Sequence, residues 1–153
     1  MQNDLDNLQL PPKTSITIIC PLSNKQEQPL VQVVLSPGEG FYKGGAFTFN
    51  LEFTEEYPIE PPSVVCLNRI FHPNIDIKGR ICLNILREDW SPVLDLNSII
   101  VGLLFLFFEC TPKDPLNKDA AQLLEMDSNM FANVVKITMQ GGLESGILYD
   151  RVI

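Results

Sequence analysis

The stretch AFTFNLEF, residues 46–53, carries the clearest strand pattern in the chain. Apolar and polar side chains alternate along it, which is typical of a β-strand with one buried face. The segment GFYKGG, residues 40–45, supplies hairpin glycines directly before it. We therefore predict that this strand pairs with the one before it and turns its apolar face to the core. That face consists of Phe47, Phe49, Leu51 and Phe53.

Three other segments have the composition of strands, and the helical segments all follow them. The other strand segments are SITIIC (15–20), LVQVVLS (30–36) and SVVCL (63–67). The helical segments are SIIVGLLFLFFE (98–109), KDAAQLLEM (118–126) and SNMFANVVKITMQ (128–140). Because strands gather early and helices late, the sequence predicts an α+β fold with a four-stranded antiparallel meander.

Short polar side chains mark the helix starts. Asp95 or Asn97 can cap the first helix, and Asn117 and Asp127 can cap the other two. Gly141, followed by another glycine, is a stop signal for the last helix.

The first ten residues, MQNDLDNLQL, place Leu5 and Leu8 at helical spacing before Pro11 and Pro12. So short a segment makes a marginal helix by itself. Either it docks strongly, or the chain begins within a longer first helix. We expect residues 1–153 to form one domain whose first helix is truncated.

The composition excludes several classes of function. The net charge is −8, and only 11 basic residues are present among 153. A surface that binds nucleic acid or an anionic membrane needs clustered Lys and Arg, so neither partner is expected. The longest apolar run, residues 99–108, is too short to span a bilayer.

The four cysteines are far apart, and no signal peptide precedes them. A disulfide scaffold or a zinc site would need denser or paired cysteines, so we expect reduced thiols in the cytoplasm or nucleus. Cys20, Cys66 and Cys110 lie in apolar segments and are predicted to be buried. Cys82 lies in an irregular segment, residues 71–94, where its local chemistry allows either a buried filler or a nucleophile.

A Cys–His hydrolase fits this sequence poorly. The only histidine, His72, precedes Pro73 and Asn74, which favours a fixed turn over a mobile base. A cysteine without a base is suited to thioester exchange, because the incoming and leaving thiols have similar pKa values.

A series of spaced motifs resembles the ubiquitin-conjugating enzyme family over essentially the whole chain. YPIEPP (57–62) precedes FHPN (71–74), Cys82 follows eight residues after Asn74, and Trp90 follows eight residues after Cys82. DPLN (114–117) completes the series. The stretches EGFYKGG, CLNILREDW, LNSII and DPLNKDAA are most similar to the neddylation branch, which handles a Nedd/Rub-type modifier.

The resemblance implies an N-terminal helix, a four-stranded antiparallel sheet and further helices. It implies that Cys82 receives the modifier as a thioester from an activating enzyme. An acceptor lysine, on cullin-type targets and guided by a RING-type ligase, would then attack the thioester. The family uses no metal or soluble cofactor in this step, and a monomer in the cytoplasm and nucleus is implied.

Two further residues match the family's catalytic positions. Asn74 matches the asparagine that donates to the developing oxyanion, although a loop-stabilising role is the alternative. Asp114 matches the acid that orients the incoming lysine, although it could instead cap the turn at Pro115.

Other residues are implied as supports or contacts. His72, Pro73 and Trp90 are expected to support the site, and Gly102 is expected to admit a close neighbour to its helix. The implied ligase-binding residues are Ile59, Pro61, Pro62, Ser91 and Pro92.

The chain also departs from the family pattern. Neddylation enzymes carry an N-terminal docking extension, whereas this chain starts within the expected first helix. Cys110 and Lys113 replace residues that are more often proline and acidic. Lys113 could weaken the attraction for an acceptor lysine.

Three rival functions differ in what they require. The same fold could carry ubiquitin in place of the Nedd-type modifier. A non-catalytic ubiquitin-binding module would lack the active cysteine, so the presence of Cys82 argues against it. A cysteine hydrolase would need a positioned histidine.

Overall fold

The computed structural model describes residues 12–19 and 30–153. The expected N-terminal helix and Cys20 lie outside these ranges. The four-stranded meander is confirmed, since the strands pair antiparallel in the order β1-β2-β3-β4. Their bounds are β1 Ser15–Ile19, β2 Leu30–Ser36, β3 Phe47–Glu52 and β4 Ser63–Cys66.

The described helices follow the sheet, which confirms the α+β class. They are α1 Leu96–Phe108, α2 Lys118–Met126 and α3 Ser128–Met139. A short 3-10 helix, Asn84–Leu86, lies within the irregular segment. A small hairpin of β5 Leu143–Glu144 and β6 Ile147–Leu148 follows α3 and was not predicted.

The predicted caps are confirmed, and the structure chooses between the two candidates for α1. Asp95 accepts a hydrogen bond from the Ser98 N–H at 2.9 Å. Asn117 and Asp127 cap α2 and α3 in the same way. Asn97, by contrast, is buried with neither polar side-chain atom paired within the described residues, and nothing in the structure explains this.

The predicted glycine stop is also confirmed. Gly141 has φ +85°, a conformation that strains residues with a side chain. The Gly142 N–H donates to the Ile137 carbonyl at 3.0 Å and closes the last turn of α3.

The core forms where β3 packs against α1. Phe47, Phe49 and Leu51 are fully buried, as their alternation predicts. The rings of Phe47 and Phe107 stack with centroids 4.4 Å apart. Burial of each such side chain contributes roughly 1.5–3 kcal/mol, so α1 is held firmly against the sheet. Within the described ranges, no helix is long and apolar enough to cross a membrane.

Candidate active site

An open groove of about 260 Å³ brings the three predicted chemical residues together. Cys82 and Asn74 come from the irregular segment, and Asp114 comes from the connection between α1 and α2. The full lining is Asn74, Cys82, Leu83, Asn84, Ile85, Leu106, Thr111, Lys113 and Asp114.

Cys82 is half-buried, so its thiol meets the groove without being free in solvent. Its N–H donates to the Asn74 carbonyl at 2.9 Å, which ties the main chain of Cys82 to that of Asn74. The Arg87 guanidinium donates to the carbonyl of the preceding Ile81 at 3.3 Å. Both bonds therefore hold the peptide unit that joins Ile81 to Cys82, directly before the thiol.

His72 is fully buried beneath this turn and has both ring nitrogens engaged. Its Nδ1 accepts from the Asn74 N–H at 2.9 Å, which leaves Nε2 to donate to the Leu106 carbonyl at 2.6 Å. Burial lowers the pKa of His72 to about 4, although the bond to the Leu106 carbonyl acts in the opposite direction. At neutral pH the ring is uncharged and fully bonded, so it supplies no base to Cys82.

Asn74 is held by its main chain, while its side chain stays unbonded. Its N–H and carbonyl bond to His72 and Cys82, respectively. The side-chain Oδ1 is buried without a hydrogen-bond partner in the described part of the chain. No side-chain bond of Asn74 therefore braces the loop within these residues, and its amide lines the groove as an available donor.

Asp114 is exposed in the groove and has a left-handed backbone, with φ +49°. Such a conformation costs of order 1–3 kcal/mol and persists only where neighbours enforce it. Here the N–H groups of Leu116 and Asn117 both donate to the Pro73 carbonyl, at 2.9 and 3.0 Å. That shared acceptor joins the Asp114 segment directly to the turn that carries Asn74.

Gly102 of α1 lets the segment around Cys82 lie close to the helix. A Cβ at this position would stand 2.7 Å from Ile85 Cδ1 and 3.1 Å from Leu83 Cδ2. The expected close neighbour of Gly102 is thus this chain's own cysteine loop. A larger residue at this position would require the ends of the Ile85 and Leu83 side chains to shift.

Asp76 braces the turn before Cys82, and our sequence reasoning missed it. Its Oδ1 accepts from the N–H groups of Lys78 and Arg80, each at 2.9 Å, and its Oδ2 pairs with Arg80 Nε at 2.6 Å. Burial acts to raise the pKa of Asp76, but the bonds from Arg80 and Lys78 outweigh it and lower the pKa. The signal was available as an Asp two residues before Lys78-Gly79, typical of an Asx turn.

Of the other described thiols, Cys66 is buried as predicted, whereas Cys110 is half-buried like Cys82. Burial raises the pKa of Cys66 to about 12. Burial likewise raises the pKa of Cys110 to about 12, against the opposing effect of a hydrogen bond with Tyr42. Cys110 Sγ lies 3.9 Å from His72 Nε2, beneath the site rather than in the groove. Both thiols are therefore protonated at neutral pH, and among the described cysteines only Cys82 lines the groove.

The implied ligase-binding residues lie on two loops that a tryptophan holds together. Trp90 Nε1 donates to the Pro58 carbonyl at 3.0 Å, so the indole braces these loops rather than the groove. Ile59 is 73% exposed. Val93, which the sequence reasoning did not select, is 87% exposed beside Pro92.

Burial corrects one member of that set. Pro62 is buried where the chain enters β4, so its side chain offers no contact to a partner. Pro61 and Ser91 are half-buried, and Pro92 is exposed. The exposed apolar side chains on these two loops are those of Pro58, Ile59, Pro92 and Val93.

The site has no arrangement that would hold a metal ion. Within residues 12–19 and 30–153, no three His, Cys, Asp or Glu side chains gather as ligands. What the groove does offer is a half-exposed thiol, an unbonded amide and a carboxylate. This set is suited to acyl transfer through a thioester, with a donor for an oxyanion and an acid for an approaching amine.

Comparison with known proteins agrees with this class of chemistry. The family model described as "Ubiquitin-conjugating enzyme" matches residues 1–139. This chain therefore belongs to the ubiquitin-conjugating enzyme family and is a transferase of that type.

The similar individual proteins belong to one branch of this family. The chain is 54% identical to the NEDD8-conjugating enzyme UBC12 of Saccharomyces cerevisiae, over 100% of this chain and 82% of that protein. It is 47% identical to the NEDD8-conjugating enzyme ubc12 of Schizosaccharomyces pombe, over 100% of this chain and 84% of that protein. The solved structure of S. cerevisiae Ubc12 superposes with a TM-score of 0.86, at 56% identity over 99% of this chain and 83% of that one.

Proposed function

We propose that this protein is a conjugating enzyme for a NEDD8-type modifier. Cys82 takes the modifier's C-terminal glycine as a thioester from an activating enzyme and passes it to a substrate lysine. The observation that carries this proposal is the meeting of Cys82, Asn74 and Asp114 in one open groove. The identity to NEDD8-conjugating relatives along the whole chain supports the choice of modifier.

Charging is an exchange between two thiols. The Cys82 thiolate attacks the carbonyl of the modifier's thioester on the activating enzyme. A new carbon–sulfur bond forms, the old one breaks, and the activating enzyme's thiolate leaves. Because the two thiols are chemically alike, the exchange needs no dedicated base, which agrees with the engaged and uncharged state of His72.

Transfer is the more demanding step. A neutral lysine amine attacks the same carbonyl, whose oxygen becomes an oxyanion in the tetrahedral intermediate. The Asn74 amide can donate to that oxygen, and loss of one such donor costs about 2.7–4 kcal/mol in comparable sites. The Asp114 carboxylate orients the amine. The attacking nitrogen loses a proton to solvent, and the intermediate collapses to an isopeptide bond as the Cys82 thiolate leaves.

The ligase partner is part of the proposal. Ile59, Pro92 and Val93 form an exposed apolar surface on two loops that Trp90 ties together. Side chains of this kind commonly anchor protein interfaces when they are held on a rigid base. We assign this surface to a RING-type ligase that brings cullin-type acceptor lysines to the groove.

The relatives and the Cys82 thiol distinguish the proposed function from its two rivals, a ubiquitin-carrying enzyme and a non-catalytic binding module. The groove itself would serve ubiquitin equally well, so the preference for a NEDD8-type modifier rests on the relatives. The thiol at Cys82 opposes a non-catalytic binding module. A monomer in the cytoplasm and nucleus completes the proposal, supported by the free thiols at Cys66, Cys82 and Cys110.

The test compares charging by the two modifiers. We expect Cys82 to form a thiol-sensitive adduct with NEDD8 from its activating enzyme faster than with ubiquitin from its own. The Cys82→Ser variant should form an oxyester that resists thiols, and Cys82→Ala should form no adduct.

Faster charging with ubiquitin would overturn the choice of modifier. A thiol-sensitive adduct on Cys82→Ala would overturn the assignment of the nucleophile. The Cys66→Ala variant is the matched control, because Cys66 is buried away from the groove and its loss should leave the adduct in place.

A further inference from the structure

The groove carries two opposite charges beside the nucleophile. Among its lining residues, Lys113 and Asp114 are the charged members, and both are exposed. Asp114 has a role in the proposed transfer, whereas Lys113 has none. In the described part of the chain, the ion pair that forms is Arg80 with Asp76, so the Lys113 ammonium has no salt bridge to a carboxylate there. A cation is thus left open to the groove in a chain of net charge −8.

The segment that presents these charges is stiff. Pro112 and Pro115 flank the pair, and each proline restricts the backbone of its own residue and of the residue before it. The Lys113 N–H donates to Thr111 Oγ1 at 3.2 Å. Beyond Pro115, the main chain is anchored on the Pro73 carbonyl. The ammonium and the carboxylate therefore belong to one fixed turn rather than to a mobile loop.

We propose that Lys113 is a specificity-determining residue that favours acceptor lysines with an acidic neighbour. The proposal rests on the proposed function, in which the acceptor amine goes to Cys82 and Asp114. An acceptor segment in that position brings its neighbouring side chains near the Lys113 ammonium. A carboxylate there is attracted and a guanidinium is repelled. Lys113 and Asp114 thus match an acceptor lysine with an acidic neighbour: the Lys113 ammonium attracts the neighbour's carboxylate, and the Asp114 carboxylate orients the acceptor amine.

The expected effect is modest and acts on binding. Ion pairs at exposed positions change an affinity on the order of 1.5- to 5-fold at low salt. The attraction is already present before the amine attacks, so it should lower KM and leave kcat unchanged. It should disappear in about 1 M salt, where the Debye length is about 3 Å.

The experiment measures discharge of the preformed Cys82 thioester onto three short peptides. Each peptide holds one lysine, flanked by Glu, Gln or Arg residues, so the acceptor amine is the same in all three. We expect wild type to prefer the Glu peptide over the Arg peptide. Lys113→Gln should remove this preference, and Lys113→Glu should reverse it. Lys118→Glu makes the same charge change at an exposed position outside the groove and should keep the wild-type order.

The outcomes separate this inference from the function on which it rests. Failure of wild type to charge on Cys82 would overturn the proposed function. Normal charging and discharge without a peptide preference would overturn only the role of Lys113. The role of Lys113 would also be overturned if the Lys113→Glu variant kept the wild-type peptide preference, or if Lys118→Glu changed that preference as much as Lys113→Glu does. Persistence of the preference in about 1 M salt would overturn it as well. Charging rates of each variant report whether its fold and nucleophile are intact.

Discussion

Two chain segments line the groove, and they differ in how deeply their functional side chains are buried. The cysteine segment, Asn74 with residues 82–85, bonds main chain to main chain and rests on the buried ring of His72. The acceptor segment, residues 111–114, is exposed and carries the two charges of the groove. The segment to which we assign the oxyanion donor is therefore held in place before any substrate arrives, while the segment to which we assign the acceptor stays accessible.

Removing one side chain from each segment tests the contrast directly. We expect Asn74→Ala to charge at a near-normal rate but to discharge onto free lysine about 10²–10³-fold more slowly, because the oxyanion loses its donor. Asp114→Ala should show the same split with a smaller loss, because its carboxylate orients the amine rather than binding the oxyanion. Single-turnover discharge of purified thioester measures both.

Asn84→Ala is the matched control for that pair, since Asn84 also lines the groove but has no assigned role. Equal losses in charging and discharge for Asn74→Ala would point to a damaged loop rather than a missing oxyanion donor. In that case Asn74 would be assigned to stabilising the loop rather than to binding the oxyanion.

The buried support of the cysteine segment should be sensitive to acid. His72 has a folded pKa of about 4, below its ordinary value of about 6.5, because burial disfavours the charged ring. Above about pH 6.5 the ring is neutral in both states and its contribution is complete. As the pH falls from about 6.5 toward 4, only the unfolded chain binds the proton, so the free energy of unfolding should fall by about 3 kcal/mol.

Urea unfolding at a series of pH values isolates that contribution when wild type is compared with His72→Asn. The carboxylates titrate in both proteins, so the difference between the two slopes belongs to the histidine. Identical slopes would mean that the ring is solvated or already protonated in the folded state.

A third surface, which lies outside the groove, should affect the ligase alone. Ile59→Ala should weaken binding of a RING ligase by about 2 kcal/mol, which is roughly 30-fold in Kd, while charging stays normal. Calorimetry with the isolated ligase domain measures this. Leu143→Ala removes a similarly exposed apolar side chain from the small hairpin and should have no effect. Unchanged affinity in the Ile59 variant would remove this residue from the partner surface.

The smallest effect is expected at Trp90. Trp90→Phe keeps an aromatic ring but loses the bond to the Pro58 carbonyl, which is worth about 0.5–1.5 kcal/mol. Ligase binding should weaken slightly, and charging of Cys82 should not change. Slower charging would instead return Trp90 to the support of the cysteine site that the sequence suggested.

Local patterns in the sequence predicted most of the fold. The alternation around Phe49 and the caps at Asn117 and Asp127 depend on nearest neighbours along the chain, so they can be read without a structure. The choice of Asp95 over Asn97 could not be read in this way, because both residues suit a cap. The hairpin after α3 was missed because its strands have two residues each, too few to show a period.

The site was predictable only through spaced motifs. Asn74, Cys82 and Asp114 are separated along the chain, and no local rule brings them together. The resemblance to a known family did so, and the structure places all three in one groove. The burial of individual loop residues could not be predicted from the sequence for the same reason. Pro62 is buried and Val93 is exposed because of tertiary packing, which the neighbouring residues in the sequence do not reveal.

The Pro73 carbonyl has a consequence for protein engineering. One main-chain oxygen receives the N–H groups of Leu116 and Asn117 and so spaces the acceptor segment from the turn that holds Asn74. No side-chain substitution at residues 111–113 removes that oxygen or its donors. A library randomised at Lys113 alone would therefore vary which acceptors the enzyme tolerates, while Pro112, the Thr111 hydroxyl and the Pro73 carbonyl keep the width of the gap. Acceptor preference is a property that can be evolved here separately from the geometry of acyl transfer.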